Sequence, residues 1–137
     1  MARIEDHALI GDCHSAALVC LDGTIDWLCL PRFDSAACFA SLLGTRQNGL
    51  WRIAPAGILT RTTRQYLGDS LVVETVFETA DGAVALIDFM TIEPSTVVRI
   101  VEGRRGTVAC ELETGLGAAY SATRIVASGP AVGVNTK

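Results

Sequence analysis

Carboxylates are the groups this sequence supplies most freely for chemistry. Glu5, Glu74, Glu78, Glu93, Glu102, Glu111 and Glu113 are scattered along it, whereas acid–base catalysis needs two such groups converging on one bond. None of them lies in a recognisable catalytic motif. Glu74 and Glu78 are an even number of residues apart, which puts them on one face of a strand, the solvated one. Asp26, Asp34 and Asp88 stand out because their neighbours are apolar. Asp34, in Arg32-Phe33-Asp34-Ser35, is placed to cap a helix or to pair with Arg32. Asp88, in Leu-Ile-Asp-Phe-Met, reads as a strand residue paired with an arginine.

The other reactive residue types are less suggestive. His7 and His14 are seven apart with no Gly-x-Ser-x-Gly nearby, so they read as surface or satisfied-core histidines. Gly115-x-Gly117 lacks the third glycine and the helix of a dinucleotide loop. Cys13, Cys20, Cys29 and Cys38 are spaced by seven, nine and nine, without a Cys-x-x-Cys pair. That spacing suits buried apolar thiols better than zinc ligands. No metal and no cofactor is expected. Trp27 is bracketed by Ile25, Leu28, Cys29 and Leu30 and reads as core. Trp51, beside Arg52, is the aromatic residue that could stack on a sugar ring.

Composition bounds the rest. The 137 residues suit one domain, half of them are apolar, and mean hydropathy is positive, so a core is affordable. A net charge of −4 gives no pull toward nucleic acid or an anionic membrane. Of the 11 basic residues only Lys137 is lysine. The five cysteines are an odd number, and the opening MARIEDHALIGD has neither a basic nor an apolar leader region. Reduced thiols in a cytoplasmic protein is the expectation.

The residues are positioned by short strands. Asp22-Gly23 lies between the β-prone runs Ser15–Leu21 and Thr24–Leu30, a strong signal for a hairpin turning with positive φ at both central residues. Pro31 ends the second run. Ser35 is placed to cap a short helix, Ala36–Leu43, closed by Gly44. Strands are expected over Leu50–Ala54, Leu59–Tyr66, Leu71–Thr79, Val84–Met90, Val97–Glu102 and Thr107–Glu113. Gly103 and Gly106 bracket a turn between the last two. A second turn on Asp81-Gly82 would set Phe77 opposite Leu86 on the buried face. Within Gly115–Lys137, only Arg124–Ala127 has strand character. Strands at this spacing describe an antiparallel β-sandwich, supersandwich-like, with one short helix.

The run IGDCHSAALVCLDGTIDWLCLPRFDSAACFASLLG resembles the N-terminal segment of bacterial glycoside hydrolase family 15 proteins, the glucoamylases and trehalases. The likeness is densest over Asp22–Ser35 and continues through Leu71–Met90 and Val97–Val108. It implies a β-sandwich over residues 1–113, a divergent tail over 114–137, and an (α/α)₆ catalytic barrel absent from this sequence. In such enzymes an acid and a base glutamate act on α-glucosides, and both lie on that barrel. The chain alone is therefore expected to be inactive. It would pack on the barrel, in cis or in trans, with Pro31, Arg32, Phe33, Asp34 and Ser35 at the interface or substrate cleft. A free-standing carbohydrate-binding module using Trp51 and an inactive remnant are the alternatives. An unpaired sheet edge would favour homo-oligomers.

Overall fold

The computed structural model describes residues 2–115 in full and the backbone alone of 116, 119–128 and 132–135. Its elements are all strands and 3₁₀ turns. The strands are β1 (His7–Gly11), β2 (Ala16–Cys20), β3 (Thr24–Cys29), β4 (Ala37–Phe39), β5 (Leu50–Pro55) and β6 (Leu59–Tyr66). They continue as β7 (Val73–Thr79), β8 (Gly82–Thr91), β9 (Thr96–Leu116), β10 (Ala119–Ser128) and β11 (Val132–Asn135). All pairings are antiparallel, in the order β1-β2-β3-β5-β9-β8-β7-β6. β4 joins β3, while β10 and β11 join β9.

The helix expected over Ala36–Leu43 does not form. Ala37–Phe39 pairs with β3 instead, and Ser41–Leu43 is a single 3₁₀ turn. Gly44 has φ −158°, extended rather than left-handed. Ser35 caps nothing; its Oγ accepts the Arg32 N–H at 3.1 Å. Cys38 and Phe39 thus go to a sheet that needs an apolar edge, which outweighs the weak helical preference of an Ala-Ala-Cys-Phe-Ala run.

Two turns also differ from expectation. The Asp22-Gly23 hairpin is present, but only Gly23 has positive φ (86°). The Cys20 carbonyl accepts the Gly23 N–H, so Leu21-Asp22 is the turn and Gly23 the left-handed residue after it. Asp22 Oδ1 accepts the Thr24 N–H at 3.0 Å and fixes this geometry. In the β7–β8 hairpin, Phe77 faces Val84, and Leu86 faces Thr75. That is a register shift of two residues, which preserves the faces and leaves Phe77 and Leu86 both buried. The shift follows from β9, which claims Gly82 as a ladder partner of Gly106.

The expected turn at Gly103–Gly106 is a bulged continuation. Against β8, Ala83 faces Arg105 and Val84 faces Gly103, so Arg104 is the extra residue. Gly106 takes φ 61°, and a Cβ there would lie 2.2 Å from the Asp81 carbonyl oxygen. The bulge lets β9 serve two half-sheets: its first half pairs with β8 and its second with β5. The sheet curls about this strand and encloses a core that includes Ile10, Val19, Ile25, Ile53, Phe77 and Leu86.

Side chains then close the curl. The Tyr66 hydroxyl accepts the Leu9 N–H and donates to the Leu9 carbonyl, both at 3.0 Å, and so caps the outer edge of β1 from β6. Arg64, two residues earlier, donates to the carbonyls of Asp6, Val19 and Cys20.

At the centre lies Arg99, fully buried with its cross-strand partner Asp88. Arg99 Nε donates to Asp88 Oδ1 at 2.7 Å. Nη1 donates to the Trp51 carbonyl and Nη2 to the Gly23 carbonyl, each at 2.7 Å. The guanidinium also covers the Trp51 ring, 5.1 Å from its centroid. One side chain of β9 therefore fastens β8, β5 and the β2–β3 turn.

Replacing Arg99 with Met strands the Asp88 charge in the core, and urea denaturation should show a loss of about 3–5 kcal/mol. Tyr66→Phe should cost about 1 kcal/mol by removing the edge cap. A loss at Arg99→Met no larger than at Tyr66→Phe would show that the charged centre does not hold the halves together.

Candidate functional site

Three connections meet at one end of the curled sheet: Asp12–Ser15 between β1 and β2, Pro31–Ser35 after β3, and Ile92–Ser95 between β8 and β9. Asp12 binds them. It is 2% exposed and accepts the His14 N–H at 2.9 Å and the Ser15 N–H at 2.7 Å through Oδ1. Its Oδ2 accepts the Ser95 hydroxyl. The Asp12 N–H returns to the Ser15 carbonyl, so the loop is a closed four-residue turn, with Cys13 at φ 73°. Ser15 Oγ donates to the Cys29 carbonyl, and the Phe33 N–H donates to the His14 carbonyl at 3.0 Å. The Pro31–Ser35 loop is thereby fixed to the first loop, and the third is fixed through Ser95.

Burial alone pushes the Asp12 carboxyl up. The Ser95 hydrogen bond, the amides of Ser15 and His14 and the charge of His14 together outweigh it and hold the group below its ordinary 3.8.

This rigid frame presents two large apolar side chains outward, among polar and charged ones that include His14 and Glu93. Phe33 and Ile92 are each 63% exposed, one on each flanking loop. Arg32 and Asp34 are also exposed and neutralise one another, Nε to Oδ1, at 3.1 Å. Pro31 is exposed and Ser35 half-buried. The five residues singled out by sequence thus form one loop, and Asp34 pairs with Arg32 rather than capping a helix. Asp12 and Ser95, which hold it, were not singled out. A Gly-Asp-Cys-His-Ser turn has a local signal in its Asp, whereas Ser95 lies 83 residues away.

Other expected residues lie elsewhere. Trp51 is 4% exposed with Arg99 over its ring, which leaves no face for a sugar. Trp27, read as core, is half-buried on β3. Asp88 pairs with an arginine, as its setting implies. Glu74 is buried under Arg104 and Gln65 rather than solvated, and Glu78 is half-buried. Cys20, Cys29 and Cys110 are buried and Cys38 is half-buried, but Cys13 is exposed. His7 holds Asp26, and His14 is exposed. No group of three or more His, Cys, Asp or Glu side chains fit to hold a metal occurs among the described residues. Among them, too, no helix is long and apolar enough to cross a membrane.

The sequence model of the trehalase-like N-terminal domain matches residues 1–114. The chain belongs to that family. It is 34% identical over 91 residues to a trehalase of Mycolicibacterium smegmatis, an alignment covering 66% of this chain and 14% of that protein. With a trehalase of Mycobacterium tuberculosis it shares 37% over 79 residues, covering 58% and 12%. With trehalase 1 of Sulfolobus acidocaldarius it shares 34% over 101 residues, covering 74% and 18%. The match therefore spans less than a fifth of the length of these curated relatives. No solved structure matches.

A loop frame built on one ionised carboxylate is sensitive to acid. Because the Asp12 pKa is lower in the folded state, its contribution is present above the unfolded value near 3.8 and is lost as pH falls through the lower, folded one. Asp12→Asn should lower stability at pH 7 by about 1–2 kcal/mol and flatten the loss between pH 4 and lower values. An unchanged acid limb in thermal melts at stepped pH would contradict this role.

Proposed function

We propose that this chain is the non-catalytic N-terminal domain of a trehalase-type hydrolase of glycoside hydrolase family 15. Its task is to pack on an (α/α)₆ barrel that acts on α-glucosides and to support it, with the Pro31–Ser35 loop at the barrel interface beside the substrate cleft. The observation that carries this reading is the loop end: Phe33 and Ile92 are held out to solvent on a frame locked by Asp12. Large apolar side chains projecting from fixed loops are what a docking face needs, since little conformational freedom is lost when they are covered. Arg32 and Asp34 pair with one another on that face, which leaves Glu93 as its exposed carboxylate. The relatives, all trehalases several times longer than the matched segment, supply the rest of such a protein. Buried thiols support a reducing compartment, the cytoplasm; burial pushes Cys110 up to about 11 and keeps it protonated.

Two assays test the reading. The purified chain should release no glucose from trehalose or maltotriose above buffer; release abolished by one carboxylate substitution here would overturn it. Mixed with the Mycolicibacterium smegmatis trehalase lacking its own matched segment, the chain should co-elute and raise the melting temperature of that enzyme. Phe33→Asp combined with Ile92→Asp should abolish co-elution without unfolding the chain. Association unaffected by both substitutions would place the interface elsewhere.

A further inference from the structure

The opposite end of β3 carries a separate feature. The β2–β3 ladder steps from Val19–Ile25 to Leu18–Trp27, which leaves Asp26 as the extra residue of a β-bulge. Bulges re-aim side chains, and this one turns a carboxylate inward: Asp26 is 7% exposed. Its Oδ2 lies 2.7 Å from Nε2 of His7, whose side chain is 1% exposed. The other ring nitrogen, Nδ1, lies 2.8 Å from the Arg3 carbonyl oxygen. The remaining carboxylate oxygen, Oδ1, is shut off from solvent and has no hydrogen-bond partner among the described residues.

Both nitrogens of one imidazole thus face oxygens that accept. A neutral ring has a single N–H and can satisfy one of them, while its other nitrogen sets a lone pair against an oxygen. The geometry closes with one more proton on the pair, held as imidazolium beside carboxylate or as neutral ring beside carboxylic acid. Without that proton, Asp26 is a buried charge faced by a neutral ring, with one oxygen bare, which is the costly arrangement.

What the proton holds is the segment before β1. Arg3 opens the 3₁₀ turn Ile4–Asp6, and the Asp6 carbonyl accepts the Leu21 N–H at 2.8 Å from the β2–β3 turn. Just ahead of it, Ala2 forms one wall of a cleft of about 450 Å³, with Asp22, Thr24, Asp26, Ser41 and Thr45 on the others. Asp26 belongs to that wall, so protons reach the pair without unfolding the sheet.

We propose that His7 and Asp26 form a proton-operated latch, which straps Arg3–Asp6 against β3 while the pair shares a proton and releases the strap when it leaves. The N–H that remains stays on Nε2, where it meets a charge. Nδ1 then opposes the Arg3 carbonyl, and the strap lifts together with the Ala2 wall. Around the pair stand Cys20, opposite His7 in the β1–β2 ladder, Asp22 in the β2–β3 turn, Arg3, Glu5 and Asp6 on the strap, and Arg64 of β6. Burial pushes the Cys20 thiol up, and the guanidinium groups stay charged. Neither changes charge over about pH 5 to 8, the range in which histidine does. The latch needs no barrel and does not rest on the docking reading.

Amide hydrogen exchange of the 137-residue chain, corrected for the intrinsic rate at each pH, tests this. Protection of the Asp6 and Leu21 amides should fall at least about tenfold between about pH 6 and about pH 9, while the β8–β9 ladder keeps its own. Asp26→Asn offers Nε2 a donor and leaves the ring proton on Nδ1 for Arg3, so the strap should stay protected at both values. His7→Gln gives Asp26 a donor and the Arg3 carbonyl none, so protection should be low at both. Flat protection in the unsubstituted chain overturns the proposal. So does a step that survives in Asp26→Asn or, where that variant does not fold, in His7→Gln. None of these outcomes bears on barrel docking, which the Phe33 and Ile92 variants read.

Discussion

A guanidinium charge with no access to water is the constraint to which the rest of this structure answers. Arg99 can sit at the centre only if its donors are met and its charge is balanced, because an unmet buried ion costs several kcal/mol. Asp88 balances it from the neighbouring strand, and the carbonyls of Trp51 and Gly23 take the remaining directions. Those carbonyls belong to β5 and to the β2–β3 turn, so satisfying one side chain fixes the relative positions of four segments. The requirement reaches into the sequence at Gly23. A Cβ there would lie 2.0 Å from the Ile53 carbonyl oxygen. The glycine that permits the turn also permits the close approach that brings its carbonyl to Arg99.

A sheet centred on one charged residue must bend around it. β9 does so by giving up a regular ladder at Arg104 and Gly106, after which its two halves pair in different half-sheets. A curled sheet still has two edges, and here side chains of β6, at one edge, engage β1 and its neighbours at the other. Tyr66 supplies one hydroxyl that matches both the donor and the acceptor of Leu9, as a strand would. Arg64 binds three carbonyls, two of which, Asp6 and Cys20, also accept the backbone N–H groups of Leu21 and Gly23. The Tyr66 bonds stand in for backbone pairing and blunt the β1 edge against other chains.

What was legible in the sequence follows the range of the forces involved. The strands expected over Leu50–Ala54, Leu59–Tyr66 and Leu71–Thr79 and the hairpin at Asp22-Gly23 are local matters of alternation and turn chemistry; they form, the first running one residue further through Pro55 and the third starting at Val73. The Phe77 and Leu86 faces were readable because parity survives a two-residue slip; the register was not, because β9 sets it from outside the hairpin. His7–Gly11 went unread as a strand, since its pairing with β2 gives it order that five residues alone do not signal. Trp51 turned out to be the buried tryptophan, and Trp27 only half-buried, for the same reason. Trp27 has the more apolar neighbours, yet Trp51 is the one beneath Arg99, 48 residues away. The helix failed because β3 offered Ala37–Phe39 a ladder. At the loop end, Arg32–Asp34 is a neighbour effect and was visible. Asp12–Ser95 spans 83 residues and was not.

The two ends of β3 show opposite solutions to exposing function on a small sheet. At the loop end the buried side chains of Asp12 and Ser15 are paired, and Phe33 and Ile92 face water beside the exposed Arg32, Asp34 and Glu93. On the proposed docking role, a frame held this way would bring its exposed apolar side chains to a partner with little cost in reordering. At the Asp26 end the exposed lining is polar, and the unpaired atom is inside. An apolar cover would leave that oxygen unsatisfied, and β3, already paired with β2 on one side and β5 on the other, offers no edge to an added strand. The bulge is what separates the two solutions. A β3 without it would place residue 26 in the regular ladder, and its carboxylate would alternate out to solvent rather than turn against His7.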